Sequence, residues 1–213
     1  MDVLKYEILR TMISGREKRF LSYVVSVMFF LIVTSCFFNN EAYTKLFEKN
    51  NKDWFASGGA NWDFDTNELV GVSKGDAGFV MTKKQYKDFI LQLESKPDST
   101  INSGIFIRCK NKELSMVECY ENNIWDLHPN QENRTGSVVN RALPKAHIET
   151  IGKWNTYKIK IEKNHLQTWV NDILTTDITN NDLVEGLIGL QAAEEGEIRF
   201  RNIKIMSLES KHN

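Results

Sequence analysis

The amino-acid sequence predicts an all-β fold, a sandwich of two antiparallel sheets, preceded by an N-terminal signal or anchor helix. Three observations predict the sandwich. Runs with an apolar residue at every second position recur along the chain, polar corners separate them, and no long stretch after residue 50 has helical periodicity. With 213 residues, 41% of them hydrophobic, the chain is long enough for one substantial domain plus a leader.

The predicted strands share a period of two. In the segment YKDFILQL, Phe89, Leu91 and Leu93 fall on one face, and Ile90 and Gln92 on the other. Similar runs predict strands at 78–82, 86–93, 103–108, 114–120, 154–161, 166–170, 173–176, 187–191 and 197–206. Polar corners at 162–165 and 171–172 indicate tight turns, so a three-stranded meander is expected there.

The first 35 residues are predicted to be a signal peptide. Residues 20–34 carry no charge and follow a basic stretch, and about fifteen apolar residues are fewer than the roughly 20 that a spanning helix needs. The segment Val33-Thr34-Ser35-Cys36 resembles the lipobox of bacterial lipoproteins. This resemblance implies a lipid on Cys36, a tether over 36–45 and a lipid-anchored protein in the cell envelope, periplasmic or on the outer-membrane surface. An uncleaved anchor with an incidental Cys is the alternative.

Charge and motif patterns exclude several classes of function. The 27 basic and 28 acidic residues give a net charge of −1, so no overall field attracts nucleic acid. The four His residues lack paired ligand spacing and the Cys residues form no C-x-x-C motif, so we expect no metal and no cofactor. Export implies an oxidising compartment in which Cys109 and Cys119 could pair, but two buried free thiols are the expectation.

Residues 122–149 predict a long loop folded over one sheet. The segment has no clear period, yet it contains Trp125, His128 and His147. Loops this long in compact domains are often functional.

Several segments, taken in order, resemble the 3-keto-disaccharide hydrolase family over about residues 46–207. The segments are the Trp62/Phe64 pattern with Leu69 to Gly71, GFVMTKKQYKDF at 78–89, NSGIFIR at 102–108, MVECYE at 116–121, Thr135-Gly136, WNTYKI at 154–159, IGLQ at 188–191 and FRNIKI at 200–205. The resemblance implies a concanavalin A-like jelly roll over 46–208, followed by a short tail at 209–213. It also implies a carbohydrate substrate and cleavage of the glycosidic bond of 3-keto-glycosides or disaccharides.

The implied chemistry is elimination followed by hydration. A ketone at the third carbon acidifies the proton on the second carbon, so the reaction needs a base, donors for an enolate oxygen and an acid for the leaving oxygen. Glu118 matches the Glu of the family's E-x-Q motif and is predicted to be the base or a hydroxyl ligand. The other predicted catalytic residues are Arg108, which has a fixed fork of donors, and Lys83.

The predicted substrate-binding residues are Gln191, Tyr120, Trp125 and His128. Tyr120 stands where the family usually has Gln, and Ala192 to Glu194 stand where the family often has a His. These departures keep a second hypothesis open, a non-catalytic carbohydrate-binding module of a surface lipoprotein. A structural adhesion domain without a sugar site is a third.

Overall fold

The computed structural model describes residues 43–49, 52–64 and 66–208, and these form thirteen strands in two antiparallel sheets. The predicted signal peptide, Cys36, most of the predicted tether and the C-terminal tail lie outside these residues. Within the described part of the chain, no helix is long and apolar enough to cross a membrane.

The larger sheet has eight strands. Seven of them follow one another across the sheet in the order β11 (Ile173–Thr179), β10 (His165–Val170), β9 (Asn155–Glu162), β6 (Phe89–Pro97), β13 (Glu195–Ser207), β4 (Glu68–Lys74) and β3 (Asn61–Asp63). The eighth, β1 (Thr44–Lys45), also pairs with β13.

The smaller sheet has five strands in the order β2 (Trp54–Gly58), β5 (Gly78–Thr82), β12 (Leu187–Ala192), β7 (Ser103–Cys109) and β8 (Tyr120–Ile124). All neighbouring strands pair antiparallel. Two antiparallel sheets packed face to face confirm the predicted all-β jelly-roll sandwich.

The core lies between the two sheets and follows the period of two. Phe89, Leu91 and Leu93 of β6 are at most 3% exposed and face the core, as predicted. Ile105 of β7 and Leu190 of β12 enter the same cluster from the smaller sheet. The predicted meander is also confirmed, because β9, β10 and β11 pair in succession.

The predicted strand at 114–120 is wrong. Residues 110–119 form a turn-rich connection in which the Cys119 amide donates to the Ser115 carbonyl at 2.9 Å, and the strand begins only at Tyr120. The ends of this connection are joined by a disulfide between Cys109 and Cys119, whose Cα atoms are 4.2 Å apart. The expectation of two free thiols is therefore also wrong.

The long segment after β8 closes an edge of the sandwich. Val138 bridges to Asn122 of β8, while the Thr176 hydroxyl of β11 donates to the Gly136 carbonyl at 2.8 Å. The segment thus joins the edge strands of both sheets, and the prediction that it folds over the face of one sheet is corrected. Asp126 links three parts of this segment, since its carboxylate accepts hydrogen bonds from Thr135 and Thr150.

Candidate functional site

The outer face of the smaller sheet presents two rows of side chains that cross all five strands. In each strand, these residues alternate with residues that face the core. The first row is Phe55, Met81, Gly189, Phe106 and Glu121, and the second is Ser57, Phe79, Gln191, Gly104 and Asn123.

Glu121 is the chemically distinctive group of this face. It is only 7% exposed, and burial raises the pKa of its carboxyl group from 4.5 to about 7. Removing a carboxylate from water disfavours its charged form, which is why the proton is held more tightly. Near neutral pH this side chain can therefore both accept and donate a proton.

Gly104 makes room for Glu121. A Cβ atom at position 104 would lie 3.2 Å from Oε1 and 3.3 Å from Cγ of Glu121, and 3.0 Å from Cε2 of Phe106. The Glu121 side chain therefore leans across β7 toward the centre of the sheet. A side chain at position 104 would compete for that space.

Amide side chains lie on the second row and at the position just before β7. The Oε1 atom of Gln191 and the Oδ1 atom of Asn102 are buried, and neither has a hydrogen-bond partner among the described residues. Asn123 is already engaged, since its Nδ2 donates to the Asn133 carbonyl at 2.5 Å. A buried, unpaired carbonyl oxygen is unfavourable, so a ligand hydroxyl that donates to Gln191 or Asn102 would stabilise this face.

The connection closed by the disulfide, residues 110–118, crosses the first row and is called the disulfide loop below. Cδ2 of Leu114 lies 2.8 Å from the position of a Cβ on Gly189, and the Lys112 ammonium is 5.6 Å from the centroid of the Phe55 ring. The Arg141 guanidinium anchors the loop by donating hydrogen bonds to the carbonyls of Met116 at 2.6 Å and Val117 at 3.1 Å. The loop therefore covers the middle of the first row.

Glu118, the predicted base, lies in a turn of the disulfide loop and not on this face. It is half-buried, and one of its carboxylate oxygens accepts a hydrogen bond from Asn111. Glu121, three residues later, occupies the strand position that sequence reasoning assigned to Glu118. The signal that could have identified it was present, because Asn123 follows Glu121 at the same spacing as the Gln of an E-x-Q motif.

Arg108, the second predicted catalytic residue, is fully buried between the sheets. Its five N–H donors are occupied by the carbonyls of Lys87, Leu183 and Lys163 and by the Asp88 carboxylate, at 2.7 to 2.9 Å. No donor remains for a ligand, so the structure gives Arg108 a structural role.

A β-bulge explains this placement of Arg108. The register between β7 and β12 shifts at this point, and Arg108 has a φ of 52°, in the left-handed region. Without the bulge, the alternation of β7 would put residue 108 on the outer face with Phe106.

Two further predicted residues lie away from the outer face. Tyr120 faces the core, where its hydroxyl donates to Asn180 Oδ1 at 2.6 Å and accepts from the Leu183 amide. Lys83 is exposed after the end of β5, and its ammonium donates to the Lys52 carbonyl at 2.5 Å. The structure does not bring these side chains to Glu121.

The remaining predicted residues lie on the second row or in the segment after β8. Gln191 is on the second row. Trp125 follows β8 directly and packs edge-on against His128 with ring centroids 4.5 Å apart, and both side chains are partly exposed. His147 is exposed and pairs with Glu149. Across the described ranges, no cluster of three or more His, Cys, Asp or Glu residues could hold a metal ion.

This fold and the outer-face site define a carbohydrate-related jelly-roll β-sandwich domain. Residues 39–206 match the sequence profile of the 3-keto-alpha-glucoside-1,2-lyase-like domain. The chain belongs to this family, which confirms the resemblance found in the sequence. A search of curated proteins gave no match.

Solved structures share the fold. Two candidate glycosyl hydrolases from Parabacteroides distasonis ATCC 8503 are 23% and 17% identical, with TM-scores of 0.67 and 0.69. The alignments cover 78% and 79% of this chain, and 100% and 95% of those chains. The carbohydrate binding module CBM66 from Bacillus subtilis is 20% identical with a TM-score of 0.59, over 76% of this chain and 99% of that one.

Proposed function

We propose that this domain cleaves the glycosidic bond of 3-keto-glycosides by elimination and hydration, with Glu121 as the acid–base group. The observation that carries the proposal is the buried Glu121 carboxyl with a pKa of about 7 on the outer face of the smaller sheet. A general base is most effective when its pKa is close to the working pH. Membership of a family described by 1,2-lyase chemistry supports the same reaction.

One carboxyl group is enough for the proton transfers of the elimination step. Ionised Glu121 takes the proton from the second carbon, and the electron pair moves into the ketone to form an enolate. The enolate then re-forms the ketone, the second and first carbons become doubly bonded, and the bond to the glycosidic oxygen breaks. Protonated Glu121 returns its proton to the leaving oxygen. Water then adds at the first carbon and a proton at the second, which gives the free 3-keto sugar.

The other groups of the face position the sugar. The unpaired oxygens of Gln191 and Asn102 accept hydrogen bonds from sugar hydroxyls, and the partly exposed Trp125 ring at the end of β8 offers an apolar surface to the ring of the sugar. Neither amide transfers a proton, so acid–base chemistry is left to Glu121.

The test compares release of the aglycone from aryl 3-keto-glucosides and from the same glucosides without oxidation. We expect release from the keto substrates only, with a loss of about 100-fold or more in Glu121→Gln. Glu118→Gln is the matched control, because it makes the same change three residues earlier, in the disulfide loop and away from the face. Equal activity of Glu121→Gln and the wild type, or equal release from unoxidised glucosides, would refute the proposal.

A non-catalytic carbohydrate-binding module is the second candidate function. One observation favours it: the buried oxygens left without a partner on this face belong to the amides of Gln191 and Asn102, which bind hydroxyls without proton transfer. This function predicts saccharide binding without aglycone release. It also predicts that Glu121→Gln changes affinity by only a few fold.

We also propose that the domain is displayed in the cell envelope through a lipid on Cys36. The support is the lipobox-like segment that ends at Cys36. Mass spectrometry of the mature N-terminus tests this, since an acylated Cys36 is expected at the first position. A mature chain that begins elsewhere or carries an unmodified Cys36 would contradict it.

A further inference from the structure

A second groove lies on the opposite side of the sandwich, on the outer face of the larger sheet, with a volume of about 820 Å³. A row of side chains crosses it, namely Lys204 of β13, Gln92 of β6, Lys158 of β9 and Trp169 of β10. These residues are direct partners on adjacent strands, which lie about 4.8 Å apart, so the row is about 14 Å long. Its size is within the range of small-molecule sites, about 300–1,000 Å³.

The row combines an aromatic ring with cations. The Lys158 ammonium is 4.6 Å from the Trp169 ring centroid, and the Lys204 ammonium is 4.8 Å from that of Tyr43. Neither ammonium forms an ion pair within the part of the chain that the structure describes. Gln92 supplies an amide at the centre of the row.

Most acidic groups of the groove are already engaged. Glu94 binds the Arg201 guanidinium at 2.7 and 2.8 Å, and Glu48 pairs with Lys45 at 3.1 Å. Asp172 is the remaining acidic residue in the lining, at the Trp169 end, while Lys158 and Lys204 lie on either side of Gln92. The row on either side of Gln92 is therefore cationic.

We propose that this groove is a second binding site, and that its ligand is an acidic saccharide that carries carboxylate or sulfate groups. Trp169 offers a ring face to a sugar, Gln92 bonds its hydroxyls, and Lys158 and Lys204 bind the acidic groups. The cations and the amide lie along the floor of a groove, which suits a narrow chain of sugar rings better than the flat surface of a bilayer. Because the core separates the two sheets, the site acts independently of Glu121.

The test is calorimetric titration of the full chain with hexagalacturonate, its fully methyl-esterified form and a sulfated heparin hexasaccharide. We expect an acidic hexasaccharide to bind and the neutral ester to bind at least about fivefold more weakly. Trp169→Ala should weaken binding about tenfold or more, and Lys158→Gln and Lys204→Gln about three- to fivefold each, with a shallower salt dependence.

Two control variants locate the ligand. Lys160→Gln removes a lysine from the same strand as Lys158, outside the groove, and Glu121→Gln changes the other face, so both should bind as the wild type does. Failure of all acidic probes to bind, equal binding of the ester, or loss of binding in Glu121→Gln would each overturn the proposal. So would groove-dependent binding of anionic over zwitterionic vesicles without saccharide binding, which would assign the cations to lipid headgroups.

Discussion

Replacing Glu121 by Gln is expected to change the pH dependence of stability. The pKa of Glu121 is about 7 in the folded protein and 4.5 when the group is solvated. Below about pH 4.5, both states hold the proton. Between pH 4.5 and 7 the unfolded chain releases it while the folded chain keeps it, so the wild type loses stability as pH rises, and the loss is complete above pH 7.

The size of this effect follows from the distance between the two pKa values. Each pH unit corresponds to about 1.4 kcal/mol, so the loss between pH 4.5 and pH 7 is about 3 kcal/mol. Gln does not titrate and has nearly the same shape. The free energy of unfolding of Glu121→Gln should therefore rise by about 3 kcal/mol relative to the wild type over this interval.

Urea unfolding of both proteins, at half-unit steps from pH 4 to pH 8.5, measures this difference. Glu118→Gln is the matched control, because it makes the same change of side chain in the disulfide loop, away from the outer face. A flat difference between Glu121→Gln and the wild type would show that the Glu121 carboxyl ionises as a solvated one does. The reasoning about its burial, and its proposed role as base, would then be refuted.

Three other perturbations have defined outcomes. Arg108→Met leaves three carbonyls and the Asp88 carboxylate without their buried partner, and should lower the free energy of unfolding by about 3–5 kcal/mol, measured in urea; a change below 1 kcal/mol would contradict the structural role. Exchanging Cys109 and Cys119 for Ser opens a loop with a sequence separation of 10, and a loss of about 2–3 kcal/mol is expected in the same assay. Gly104→Val should abolish aglycone release while the circular dichroism spectrum stays unchanged, because its side chain enters the space of Glu121; retained activity would place the reaction elsewhere.

The sheet architecture could be predicted because local patterns determine it. The alternation of Phe89, Leu91 and Leu93 reports one buried face, and the structure confirms this face and the meander of β9, β10 and β11. The residues between Cys109 and Tyr120 resemble a strand in sequence but do not form one. Leu114 is apolar there because it packs on the outer face of the smaller sheet from an irregular loop.

The candidate site was less predictable because it depends on two nonlocal features. The disulfide loop displaces the start of β8, which moves the carboxylate of the site from Glu118 to Glu121. The bulge at Arg108 turns a side chain from the outer face to the interior, and its acceptors lie 20 to 75 residues away in sequence. Neither the bulge nor those acceptors leave a signal in the neighbouring residues.

The contacts of Arg108 also bear on the order of folding. Its guanidinium joins the connection before β6, the turn between β9 and β10 and the connection before β12, so all its acceptors coincide only after both sheets have formed. Until then, the charged group remains in water and opposes closure of the sandwich at that end. We therefore expect the contacts of Arg108 to form late in folding, and to slow unfolding more than they speed folding. A domain closed by such a group is expected to have a long native lifetime compared with its equilibrium stability.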